Sequence, residues 1–258
     1  MEINLTAPTS WNELNPEQLT WISWLMCQDS LTAPEFLTYA FVRLSGITIL
    51  KKVDDVWYCK RGKDSFSLTA EQVLSFSKQF SRLASGMEEI TPVPKIGNIR
   101  HQDVRLRGLP FSQYLACENY YQAFLFTKKE EFLNCLIASF YLGNKRFDDG
   151  KTLKRSRKFA KLPFHVRHTV FLWFYGLKSV FQENFPSIFQ KIETILEDEK
   201  PQAPNMRIQI NNMIRALTGG DVTKTDIVFQ TETWTALAEL DAKARESKEL
   251  ERRMKKIK

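Results

Sequence analysis

The chain has 258 residues, 43% of them hydrophobic and 12% aromatic, which is enough to bury a sizeable core as one large domain or two small ones. Ten glycines disfavour Gly-rich phosphate loops and turn-dense all-β folds, and the longest strongly apolar run, Val170 to Leu177, is far short of the roughly 20 residues a membrane span needs. The net charge of +7 is concentrated: Lys151, Lys154, Arg155, Arg157, Lys158, Lys161 and Arg167 fall between Lys151 and His168 with no acid among them. Removing those seven from the 37 bases leaves 30, against 30 acids, so this one window carries the whole surplus.

In chain order, MEINLTAPTSWNEL has no basic n-region ahead of an apolar stretch and no secretory signal is expected. Asn15-Pro16-Glu17-Gln18 reads as an N-cap, a first-turn proline and a reciprocal glutamine before LTWISWLMCQ. Thr32-Ala33-Pro34-Glu35 repeats the logic before FLTYAFVRLSG, with Gly46 as the stop, and Thr69-Ala70-Glu71-Gln72 opens VLSFSKQFSRLAS. Between the second and third helices, ITILKKVDDVWYCKRGKDSFSL alternates β-branched and aromatic residues around Asp54-Asp55 and Arg61-Gly62-Lys63. That pattern predicts a β-hairpin or three-strand meander near residues 47–68 and an α+β module over 1–90.

The segment 91–110 has three prolines and no helical periodicity, and it reads as a mildly basic connecting loop. Residues 111–197 form the predicted hydrophobic helical core. It comprises helices over Phe111–Phe126 and Glu130–Leu142, the second capped by Thr127 with Glu130, then one from Pro163 through Phe181 and another from Pro186 through Leu196. A charged, proline-containing linker follows at 198–205, and 206–258 is a C-terminal helical interaction segment. In it, Gly219-Gly220 stops a short helix, and Thr231 to Lys258 is polar on most sides. Its thin stripe of Trp234, Leu237, Leu240, Ala244, Leu250, Met254 and Ile257 offers Trp234, Leu237 and Leu240 as anchors for a protein partner. The fold class is therefore mainly α: a helical bundle with a small hairpin or meander and a polar C-terminal helix.

No catalytic pattern is present: there is no GxSxG, P-loop, GxGxxG or HExxH. Cys27, Cys59, Cys117 and Cys135 are far apart in apolar surroundings and read as buried free thiols of a reducing cytosol. His165 and His168 are spaced as two metal ligands could be, but nothing near them completes a shell, so neither metal nor cofactor is expected. The basic window is the one constellation with weight. If 151–161 is helical, Lys151, Lys154, Arg155, Lys158 and Lys161 share a face, and their like-charge i,i+4 neighbours disfavour the helix without a counter-charge. Such a face is solvated, paired within the fold, or held for an acidic protein or a nucleic-acid backbone. The apolar residues come after the basic ones and not opposite them, which argues against a membrane anchor.

The stretch IRALTGGDVTKTDIVFQTETWTALAELDAKARESKEL resembles the C-terminal ends of phage- or prophage-encoded tail and head–tail morphogenesis proteins. The resemblance rests on ALTGGDVTK and on W-x-x-L-x-x-L-x-A-x-A-R-E, and it does not extend to the preceding segments. It implies a non-enzymatic assembly or structural protein, such as a tail-assembly chaperone or connector. Such a protein would work in the host-cell cytoplasm or the virion, with other phage proteins as partners and oligomers allowed. A nucleic-acid-binding accessory protein using the 151–168 cluster is the competing expectation.

Overall fold

The computed structural model describes residues 6–84, 88–189 and 205–257. It is mainly α-helical with a small antiparallel sheet. Helices α1 (Pro16–Met26), α2 (Ala33–Leu44) and α3 (Ala70–Ser77) each begin with a complete capping box. Asn15 accepts from the Gln18 N–H while Gln18 accepts from the Asn15 N–H, and Thr32 with Glu35 and Thr69 with Gln72 do the same. Each reciprocal pair satisfies two N–H groups that a helix start otherwise leaves open, a contribution of about 1 kcal/mol.

Strands β1 (Thr48–Val53), β2 (Val56–Arg61) and β3 (Asp64–Thr69) form the expected meander in that order. Its turns lie at Asp54 and Gly62, both with positive φ. Cys59 and Leu68 point into the core, whereas β1 is exposed along its whole length. The helix expected to run unbroken after Thr69 instead tightens to a 3-10 turn at Lys78–Phe80 before α4 (Ser81–Ala84). The 91–110 connection holds only a two-residue ribbon, β4 (Lys95–Ile96) with β5 (Ile99–Arg100).

Helices α5 (Phe111–Thr127) and α6 (Glu130–Phe140) pack together, but the capping box expected between Thr127 and Glu130 does not form. Thr127 Oγ1 donates back to Ala123 O and accepts from Lys129 N, and Lys128 takes a left-handed conformation that closes α5. After α7 (Thr152–Ser156), Pro163 caps α8 (Phe164–Asn184), whose nearly all-round apolar surface is explained by what surrounds it. α6 covers one side and α1 another, so the 1–90 segment and the 111–197 segment share packing. The Phe140 and Trp173 rings stack at 3.7 Å, and Trp173 Nε1 donates to Val104 O at 2.9 Å, so the largest buried side chain has its polar atom satisfied. Gly176 lets the backbone at Glu88 and Ile90 lie directly on α8. One connected apolar cluster runs from Trp11 to Leu240.

Pro186 to Phe189 form a turn; the remainder of the helix expected there, and the linker up to Pro204, lie outside the described residues. Asn205 caps α9 (Met206–Thr218), Gly219 ends it with φ +64, and α10 (Thr225–Gln230) leads into α11 (Thr233–Ile257). The start of α11 is rooted in the body. Phe111 N donates to Thr231 O and Thr233 N to Leu109 O, each at 2.8 Å. Leu237 and Leu240 are buried, and Trp234 packs edge-on against Phe181 and Phe185 while its Nε1 donates to Arg105 O at 2.6 Å. Of the expected anchors, Leu237 and Leu240 are therefore internal and Trp234 is half-buried against the core. A stripe read as open to a partner is open only where no other helix of the same chain lies over it. Among the described residues no helix is long and apolar enough to cross a membrane.

Candidate functional site

The basic window does not form one surface. The helix that would align its bases ends at Ser156. Beyond it, Lys158 N, Phe159 N and Leu162 N each bond a carbonyl three residues back, as in tight turns. Three like-charge i,i+4 pairs weaken a longer helix, burial of Phe159 favours the turn, and Pro163 disfavours helical geometry in the residue before it.

The seven bases consequently have three fates. Lys154, Arg157, Lys158 and Lys161 are exposed. Arg167, expected on the anionic-partner surface, is buried between helices: Nη2 donates to Glu130 Oε2 at 2.6 Å, Nη1 to Asn134 Oδ1 at 2.9 Å and Nε to Leu162 O at 3.0 Å. Its place on the inner side of α8 puts it opposite the first turns of α6, where those acceptors lie. Lys151, also exposed, and the half-buried Arg155 border a cleft.

That cleft is built by the 143–155 loop on one side and by residues 108–113 and 229–232 on the other. Gly143 N donates to Arg100 O, Gln102 N to Phe140 O, and Gln102 Nε2 to Lys145 O, which pins the loop to the strand ribbon and α6. Two adjoining hollows of about 700 and 500 Å³ share Lys145, Arg146, Phe147 and Gln230. The larger also takes in Lys151, Arg155, Asp148 and Asp149. Lys151 Nζ lies 2.6 Å from Asp148 Oδ2, and this bond is the main reason the Asp148 carboxyl is held below its ordinary range. Arg155 Nη2 donates to Asp148 O and Thr152 Oγ1, while its Nε is buried without a partner.

The smaller hollow reaches Gln113 and Glu232. Burial alone would raise the Glu232 carboxyl, but N–H donors from Thr235, Trp234 and Gly108 outweigh it and hold the group below its ordinary range. Sequence reading missed Lys145, Arg146 and Gln113. The two bases stand in GNKRFDDGK, where the paired aspartates mark a turn and mask the local positive charge. No local pattern announces Gln113, which reads as part of an apolar helix.

The histidine spacing leads to a different arrangement. The His168 ring is stacked between Phe164 and Phe171, with Nδ1 3.1 Å from Ser23 Oγ and 3.7 Å from Cys27 Sγ. Ser23 donates its hydrogen to His165 O, so Nδ1 carries the His168 proton and donates to Ser23. Burial, with Lys128 adding to it, lowers His168 to about 4, and burial raises the Cys27 thiol. Imidazole and thiol thus both stay neutral, and the pair makes no thiolate nucleophile. Among the described residues no three His, Cys, Asp or Glu side chains come together to hold a metal.

The other conspicuous feature is the far end of α11. From Arg245 to Lys255 every residue is exposed, although the helix continues to Ile257. Lys243–Glu239, Arg245–Asp241 and Arg253–Glu249 form along it at i,i+4. No family model matches the chain, and neither curated proteins nor solved structures give a match.

Proposed function

We propose that the protein acts by binding another protein, without catalysis, and that the end of α11 beyond Ala244 is the contact element. The observation that carries this reading is the exposure of every residue from Arg245 to Lys255 in a helix that remains continuous. Roughly 16 Å of helix at 1.5 Å per residue is exposed, and it meets the body through Lys248 Nζ, which donates to Ser187 O at 3.0 Å. Intrahelical ion pairs contribute only about 0.3–0.5 kcal/mol each, so they and one exposed hydrogen bond do not explain a helix that continues this far with every residue exposed. Leu250 and Met254, exposed and i,i+4 apart, give it an apolar edge. Arg252, Arg253 and Lys255 make its end basic.

The fitting partner is a helical surface with an apolar strip and acids beside that end. The resemblance of the 214–250 stretch to phage tail and head–tail morphogenesis proteins supports the same class, an assembly chaperone or connector. Trp234, Leu237 and Leu240 then serve as the root of the helix and not as its contact. A photo-cross-linking residue in place of Leu250 should capture one defined protein in the native host, and Leu250→Glu with Met254→Glu should abolish that association. A chain ending at Ala244 that keeps every association of the full chain would overturn the reading.

A nucleic-acid partner has one specific observation in its favour. Lys154, Arg157, Lys158 and Lys161 are exposed, and none forms an ion pair among the described residues. Binding to DNA or RNA that steepens at low salt and is lost on changing Lys154, Lys158 and Lys161 to alanine would favour it.

A further inference from the structure

The cleft between the 143–155 loop and the 108–113 and 229–232 segments has two unlike ends. At the larger hollow, Lys145, Arg146, Lys151 and Arg155 outnumber Asp148 and Asp149 by four to two. Asp148 is already engaged by Lys151. Arg155 is held in place from one side of its guanidinium, through Nη2 to Asp148 O at 2.8 Å and Thr152 Oγ1 at 3.0 Å. This end favours an anion.

The smaller hollow ends in acceptors. Gln113 is fully buried, and its Nε2 donates to Gln102 Oε1 at 2.5 Å and to Ser139 O at 2.7 Å. Both partners are acceptors, since Gln102 donates its own Nε2 to Lys145 O, so the Gln113 amide cannot be turned round. Its Oε1 is left with no partner. Glu232 adds a carboxylate at the same end. The Gln113 oxygen is closed off inside the fold, and the acceptor that a molecule in the hollow can reach is the half-buried Glu232. An anion placed here would meet Glu232, whereas an N–H or O–H would be accepted.

The geometry points to a small phosphate ester as the ligand of this cleft. Its phosphate would lie among Lys145, Arg146 and Arg155, and an N–H or O–H at its other end would donate to the Glu232 carboxylate. The Phe147 ring borders both hollows and offers a face to the body of the molecule. The two volumes fall in the range of pockets that hold small ligands, about 300–1,000 Å³. This site is separate from the end of α11 and stands whether or not that helix binds a protein.

Calorimetric titration of the full chain with a nucleoside 5′-monophosphate, a sugar phosphate and inorganic phosphate tests it. At least one ester should bind saturably and at least tenfold more tightly than inorganic phosphate, and the tighter of the two identifies the donor end. Lys145→Gln with Arg146→Gln, both on exposed side chains, should weaken that binding at least tenfold without shifting Tm. The bound ester should also shield the Lys145 and Lys151 amines from acylation while Lys158 reacts as before. The proposal fails if neither ester exceeds inorganic phosphate, if the double variant binds like the parent, or if no shielding of Lys145 and Lys151 is seen.

Discussion

Arg167 on α8 donates from Nη2 to Glu130 Oε2 at 2.6 Å at the start of α6. A base that the sequence groups with six surface neighbours is thus a tie between two core helices. Its guanidinium also serves Asn134 and Leu162 O, and its side chain is 6% exposed. Arg167→Ala leaves the buried Asn134 Oδ1 and the Leu162 carbonyl without this donor, while the exposed Glu130 turns to water, and it should destabilise the fold by about 2 kcal/mol. Lys158→Ala and Lys161→Ala, on exposed side chains, should stay within about 0.5 kcal/mol. Urea titration of the three variants separates the two classes.

Gly176 sits in the middle of α8, where a side chain would collide with the backbone of another segment. A Cβ built there falls inside the contact distance of Glu88 O and 3.1 Å from Ile90 N. Although Ala is the better helix former, Gly176→Ala should cost about 3 kcal/mol, because backbone must move to admit it. Thermal unfolding that rises for this variant would show that the 88–90 segment does not lie on the helix.

His168 links stability to pH. Burial lowers it from its ordinary value near 6.5 to about 4, so the folded state binds this proton less readily than the unfolded state. Stability from this group is intact above pH 6.5 and declines as pH falls from 6.5 towards 4, because only the unfolded chain takes up the proton. By pH 5 the loss is about 2 kcal/mol. His168→Phe should remove that portion of the acid sensitivity while keeping a ring between Phe164 and Phe171. Denaturant curves of parent and variant at pH 7.5 and pH 5 give the difference directly, and parallel losses in both would rule out His168 as the source.

The two halves of α11 should behave oppositely on mutation. Ending the chain at Ala244 removes exposed helix, the Lys248 bond to Ser187 O and the Arg245–Asp241 pair, both made by exposed bases, and Tm should change little. Removing residues 231 to 258 strips Leu237 and Leu240 from the core and the half-buried Trp234 from its edge, and should unfold the body. Leu237→Ala, at a fully buried position, should by itself cost about 3 kcal/mol. Differential scanning calorimetry of the three proteins decides the point, and a stable 1–230 fragment would contradict it.

The sequence by itself determined the helix starts, the meander and the fold class, because those depend on near neighbours. A capping box at Asn15, Thr32 or Thr69 needs residues three apart, and the turns at Asp54 and Gly62 need two strands that adjoin in the chain. The same local logic failed at Thr127, where a back-bond to Ala123 and a left-handed Lys128 won, and at Ser156, where like charges and the burial of Phe159 ended a helix that periodicity extended. Which side of an element meets water was decided only by the tertiary structure. Trp234, Leu237 and Leu240 make the same stripe as Leu250 and Met254, yet Phe181 and Phe185 happen to lie over the first part and nothing described lies over the second. The cleft is a product of folding in the same sense. It joins Gln113, the 143–155 loop and Glu232, and charge and hydrogen bonding act through space between groups that no spacing along the chain connects.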